Sequence, residues 1–155
     1  MTLTAPAGRD QIEAAIPHRD PFLLVDEVSA LDESSIATAW TVPTGAFWEK
    51  GHYPGQPVTP GVLLVEHVLQ SGALYVSKRL EGFSDDDGVP VLTKLEQARF
   101  RQMVLPGERV ETEVKLVEQV GPAWFLAGTV KKDGKKVLQV RFALSATAAM
   151  SRVDA

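Results

Sequence analysis

The chain has no cysteine among its 155 residues. That excludes disulfides, a thiolate nucleophile and cysteine-ligated zinc. It has no excess of positive charge: 16 Lys and Arg against 20 Asp and Glu leave a net charge of −4, whereas a nucleic-acid binder shows a basic face or stripe. It has no long hydrophobic run. The most apolar stretch, Gly61–Val76, contains Glu66, His67 and Gln70, and a bilayer span needs about 20 predominantly apolar residues. Met1–Arg9 lacks the charged start and apolar run of a secretory signal. These absences lead us to expect a soluble, cytoplasmic protein with no membrane or nucleic-acid partner. Histidine is scarce too, with His18, His52 and His67 the only three.

What is present is an ordinary globular mixture, 45% hydrophobic and 23% charged. The length suits one domain, and a chain of this size buries roughly two thirds of its unfolded surface without a metal or disulfide staple. We therefore expect residues 1–155 to form a single domain, with 1–8 and 150–155 as flexible ends. Proline is the unusual component: Pro54, Pro57 and Pro60 fall within seven residues.

Residues 9–16 read as a short helix stopped by Pro17. Phe22–Val28 and Ser34–Val42 read as strands, the second rich in β-branched residues. A Gly- and Pro-dense loop covers 43–60. Residues 61–80 are apolar almost all round until Lys78 and Arg79. A helix of that character must be buried on most sides, and at 1.5 Å per residue it is about 30 Å long. Thr59 is the expected N-cap, with Pro60 at the first helical position. Residues 81–88, with Asp85, Asp86 and Asp87, read as a solvated loop. The remainder is strand-like. Val110, Thr112, Val114 and Leu116 alternate with charged residues, and Asp133-Gly134 between two such runs signals a hairpin. The sum is an α+β fold: a long central helix wrapped by a curved antiparallel sheet of about five to six strands.

Few side chains in this pattern can do chemistry. His52 lies in a Gly- and Pro-rich loop before the long helix. Glu66 lies inside the apolar helix, where burial raises a carboxyl pKa and a protonated acid can donate. Gln70, one turn on, shares its face. Gly61 leaves an unobstructed N–H at the positive end of the helix, suited to a carbonyl oxygen. One base, one acid and one oxyanion donor suffice for elimination alpha to a thioester. Each also has a plain reading: a turn histidine, a solvent-facing glutamate, a packing glycine. His18, between Pro17 and Pro21, reads as a structural turn residue. His67 is not on the face of Glu66 and reads as a packed interface residue.

Three blocks resemble the (3R)-hydroxyacyl-[acyl-carrier-protein] dehydratases of FabZ type, which have the hotdog fold. They are Ile16-Pro17-His18-Arg19 with Pro21–Asp26, the continuous segment Gly51–Glu66, and Ala98–Arg101 with Val104–Glu108. The resemblance implies that His52 is the catalytic base and Glu66 the catalytic acid. It implies that Gly61, with Val62, binds the thioester oxygen, and that Gln70, Tyr53 and Pro60 support the site. Phe47, Trp48, Lys94, Arg99, Phe100 and Arg101 become candidates for the acyl tunnel or for docking the carrier protein. It further implies a homodimer in which the histidine and glutamate of one site come from different subunits, possible assembly of three dimers, an acyl carrier protein as partner, and no metal or cofactor.

Several positions depart from the family pattern. Asp20 and Glu49-Lys50 stand where aromatics are usual, Thr59 where an apolar residue is usual, and His67-Val68-Leu69 where smaller or more flexible residues follow the glutamate. Thr93–Glu96 replaces a small, glycine-containing stretch. Bulkier residues near Glu66 are expected to narrow or redirect the tunnel, which suggests an unusual acyl chain. Two other functions compete: a hotdog thioesterase, and a non-catalytic partner within a synthase.

Overall fold

The apolar run at the centre of the chain becomes α2, Gly61–Arg79, and every residue from Leu63 to Ser77 is buried except Glu66. The structure, a computed structural model, describes residues 2–83 and 88–146; the expected Asp85–Asp87 loop and flexible C-terminal end lie outside them. A short helix, α1 (Arg9–Ala15), precedes six strands: β1 (Glu27–Leu31), β2 (Ser35–Thr41), β3 (Pro90–Phe100), β4 (Arg109–Val120), β5 (Ala123–Lys132) and β6 (Lys135–Ala146). They form one sheet in the order β1-β2-β4-β5-β6-β3, with every adjacent pair antiparallel. The α+β architecture expected from the sequence is the one observed.

The sheet's inner face receives α2. Val110, Thr112 and Val114 of β4, Leu126 and Val130 of β5, and Leu138, Val140, Phe142 and Leu144 of β6 are buried against it. Contact is closest at Gly128, where an added Cβ would lie 2.3 Å from Val68 Cγ1. Glycine is therefore required there by the approach of helix to strand. The β5–β6 hairpin turns on Asp133 and Gly134, with φ of 50° and 77°, the left-handed pair of a two-residue hairpin. Polar side chains also join helix to sheet: Thr38 and Ser71 share a 2.8 Å hydrogen bond, and His67 reaches Thr112 Oγ1 at 2.8 Å.

Three expectations need correction. Phe22–Asp26 is not strand: β1 starts only at Glu27. Only Asp26 N–H reaches a strand, donating to Ala39 O of β2 at 2.9 Å; side chains meet most of the remaining backbone. Gln70 accepts from Leu24 N–H and donates to Phe22 O, a ring nitrogen of His67 lies 2.6 Å from Leu24 O, and Arg9 donates to Leu23 O and Val25 O. Residues 2–8 are not a loose end either. Leu3 and Ala7 are buried, and Ala7 exchanges two 2.9 Å backbone hydrogen bonds with Val28. Finally, Thr59 is not the N-cap of α2. Pro60 holds that position, and the Thr59 N–H is already committed to Val104 O.

Candidate active site

Two structural pieces meet the chemistry, the loop 51–60 and the first two turns of α2. In the loop, His52 and Val58 are tied twice. Val58 N–H donates to His52 O at 3.0 Å, and His52 Nδ1 lies 2.9 Å from Val58 O. A carbonyl can only accept, so Nδ1 carries the proton and Nε2 keeps its lone pair. In the neutral ring Nε2 is thus the acceptor. Tyr53 stacks on it with ring centroids 4.1 Å apart. Pro54 and Pro57 lie within the same loop and restrict its alternatives.

On α2, Glu66 breaks the buried run. Its side chain keeps 23% exposure, and burial pushes its carboxyl above the usual carboxylate range, opposed by a 3.1 Å hydrogen bond from Gln70 Nε2. The helix begins at Gly61, so the Gly61 and Val62 N–H groups belong to the first turn, which has no intrahelical acceptors. Val62 is 75% exposed, an unusual position for valine. An added Cβ on Gly61 would lie 3.0 Å from the Phe100 ring, so Phe100 roofs the helix N-terminus and glycine keeps the approach open.

The other candidates separate by location. Trp48 is buried, edge-on to Trp40 at 6.4 Å and to the exposed Phe47 at 5.0 Å. Lys94 pairs with Glu96 at 2.7 Å. Arg99 and Arg141 line one groove with Gln97 and Gln139 on the outer face of the sheet, and Arg101 donates to Gln139. Among the described residues, no hydrogen bond or ion pair joins His52 to Glu66 within the subunit.

His67 lies off the face of Glu66, as expected, but it and Val68 pack inside the subunit rather than at an interface. Both are wholly buried in the subunit's own core; His67 stacks on Trp40 at 5.5 Å, between Leu24 O and Thr112 Oγ1. Burial lowers its pKa to about 4, so it is neutral. These residues pack the helix on the sheet. Conversely, sequence reading set aside His18, whose Nε2 lies 3.7 Å from Glu66 Oε1. Its position in the same Pro-bounded block as Phe22–Asp26, the segment that Gln70 grips, was the available signal.

Residues 16–141 match the FabA-like domain family, and the chain belongs to that family. Among curated relatives, the 3-hydroxyacyl-[acyl-carrier-protein] dehydratase FabZ of Anaeromyxobacter sp. (strain Fw109-5) is 38% identical over 135 residues, covering 86% of this chain and 85% of the relative. The FabZ of Myxococcus xanthus (strain DK1622) is 37% identical over 128 residues, covering 82% and 83%. In fold, the chain resembles the dehydratase heterocomplex ApeI:P of Xenorhabdus doucetiae, with a TM-score of 0.73 at 15% identity over 96% of this chain and 95% of that one. It also resembles a hypothetical thioesterase with coenzyme A from Streptococcus pneumoniae TIGR4, at 0.59 and 11% identity over 78% and 87%. The fold is the hotdog fold.

Proposed function

We propose that this chain is a 3-hydroxyacyl-[acyl-carrier-protein] dehydratase, converting a (3R)-3-hydroxyacyl thioester to the trans-2-enoyl thioester and water in fatty-acid or polyketide-like biosynthesis. The observation that carries the mechanism is a pair of oppositely prepared groups. His52 has one nitrogen tied to a carbonyl and the other free to accept, while Glu66 is held towards its protonated form. His52 Nε2 takes the C2 proton. The Gly61 and Val62 N–H groups, at the positive end of α2, receive the charge developing on the thioester oxygen. Glu66 gives its proton to the departing C3 hydroxyl, the C3–O bond breaks, and the C2–C3 double bond forms. Gln70 holds the Glu66 carboxyl, and Tyr53 and Pro60 hold the loop and the helix start.

Since His52 and Glu66 share no contact within a subunit, a site is completed by Glu66 of one subunit facing His52 of the partner subunit. β3 supports such a dimer. It is an eleven-residue edge strand that exposes Leu92, Leu95 and Phe100, and an exposed edge is a template for pairing with another chain. Three such dimers can assemble further. Arg99 and Arg101 flank Phe100 and suit an acidic carrier protein, with Lys94 and Lys50 as further contributors; Phe47, Trp48 and Phe100 are the aromatic candidates for the acyl path. No helix among the described residues is long and apolar enough to cross a membrane, in keeping with a cytoplasmic enzyme.

The test is to incubate the purified protein with a chain-length series of 3-hydroxyacyl thioesters and read the products by mass. Loss of water with the thioester retained is expected; release of a free acid would instead assign a thioesterase. His52→Ala and Glu66→Gln should each lower turnover by at least about a hundredfold while the oligomer stays folded. Near-full activity in either would overturn the assigned roles.

A further inference from the structure

We propose that His18 is a positioning residue for the general acid: its Nε2–H is the second donor that receives the charge left on Glu66 when the carboxyl gives up its proton. The inference rests on the reading of Glu66 as the acid.

His18 belongs to the segment between α1 and β1 that side chains of α2 grip from beneath. Gln70 binds both Leu24 N–H and Phe22 O while also donating to Glu66 Oε1. One glutamine thereby ties the acid to the segment that carries His18. The imidazole Nε2 stands 3.7 Å from the oxygen that Gln70 touches. Among the described residues, its buried Nδ1 has no hydrogen-bond partner. An orphaned buried N–H is rarer than an orphaned acceptor, so the proton sits on Nε2, facing Glu66. Burial, and then the neighbouring Arg19, lower the His18 pKa, keeping the ring neutral. Arg19 itself is turned away, donating to the carbonyls of Glu13, Ile16 and His18. Among the described residues, the titratable group paired with Glu66 is His18; across the proposed dimer it is the partner subunit's His52.

The separation of 3.7 Å is what the role requires. It exceeds a hydrogen bond, so the neutral ring makes little contact with the acid while Glu66 carries its proton. When the proton leaves for the hydroxyl, full negative charge appears on the carboxylate, and a shift of under an ångström turns the contact into a charge-assisted hydrogen bond. An interaction that strengthens only as the reaction proceeds raises turnover rather than affinity. A charged imidazolium would do the reverse, fixing Glu66 as carboxylate and removing its proton.

Three variants test this. His18→Asn places its amide near Nδ1 and cannot reach Glu66; His18→Gln places an uncharged donor near Nε2; His18→Ala removes the group. Asn and Ala should lower kcat about tenfold with KM little changed, the size of one lost hydrogen bond to a charged group, and Gln should restore most of it. The basic limb of the pH–rate profile, where the acid loses its proton, should move upward in Asn and Ala, because the carboxylate has lost a donor. Simple loosening of the site would admit water and move that limb downward. Unchanged kcat with an unmoved basic limb in His18→Asn, a downward limb, or a Gln variant no better than Ala would each overturn the proposal. Should Ala fail to fold, the Asn–Gln comparison decides alone. Glu66→Gln is run alongside: if it retains activity, the reading of the acid itself has failed; if it is inactive while His18→Asn behaves as wild type, only the role of His18 has.

Discussion

At the scale of single residues, two groups make predictions that the packing alone dictates. Thr59 places in front of α2 a buried hydroxyl with no partner among the described residues, and its backbone already holds Val104. An unsatisfied buried polar group costs free energy that an apolar isostere does not. Thr59→Val should therefore keep or raise the melting temperature; a clear fall would show that the hydroxyl bonds to something in solution. His67 gives a pH dependence. Its pKa in the folded chain is lowered to about 4 from 6.5, so between those values the unfolded chain binds a proton that the folded one refuses. Stability then falls as pH falls through that window. At about 1.4 kcal/mol per pKa unit, the loss is on the order of 3 kcal/mol. Denaturant titrations at neutral and mildly acidic pH should show it, and His67→Gln should lose that slope.

At the scale of elements, legibility in the sequence followed the directness of the physical signal. Residues 61–79 could be read as a buried helix because apolarity all round admits few alternatives, and Asp133-Gly134 because few residues tolerate two left-handed conformations. Phe22–Val28 read as a strand because an apolar run with no turn signals resembles one. Before β1 begins, most of its backbone is met instead by Gln70, His67 and Arg9, and no local pattern announces these partners. β3 shows no alternation of burial because this edge strand is exposed on both faces along most of its length, and its register shifts after Leu92 and after Glu96. The catalytic candidates on the loop and helix were legible together since they occupy one short stretch. His18 was not, because its nearness to Glu66 arises only when the segment folds back over α2. The tightest helix–strand contact predicts that Gly128→Ala forces Val68 aside, with a cost of about 1–3 kcal/mol typical of overpacking, measurable as a lower denaturation midpoint.

At the scale of the whole molecule, the net charge of −4 makes local cations more informative than they would be in a basic protein. A carrier of the same sign is repelled except where positive groups gather. If Arg99 and Arg101 receive it, the double reversal Arg99→Glu with Arg101→Glu should raise KM for the carrier-bound substrate several-fold or more. The effect should weaken with added salt, and kcat on a short pantetheine thioester should be unchanged. The edge position of β3 makes a second molecular prediction. Leu95→Arg on that strand should shift the protein towards monomer in sedimentation, and activity should fall with it, because each proposed site draws on two subunits.

The rows of polar contacts along α2 have a consequence for motion. Thr38 with Ser71, Thr112 with His67, and Leu24 with both His67 and Gln70 fix how far the helix can turn about its own axis. A slide or rotation by one residue would break all of these at once. The helix therefore cannot creep, and its amide protons should exchange with solvent only when the entire domain opens. Rates along Leu64–Val76 should converge on one common value that tracks global stability, so that the Glu66 carboxyl keeps its place for as long as the subunit remains folded.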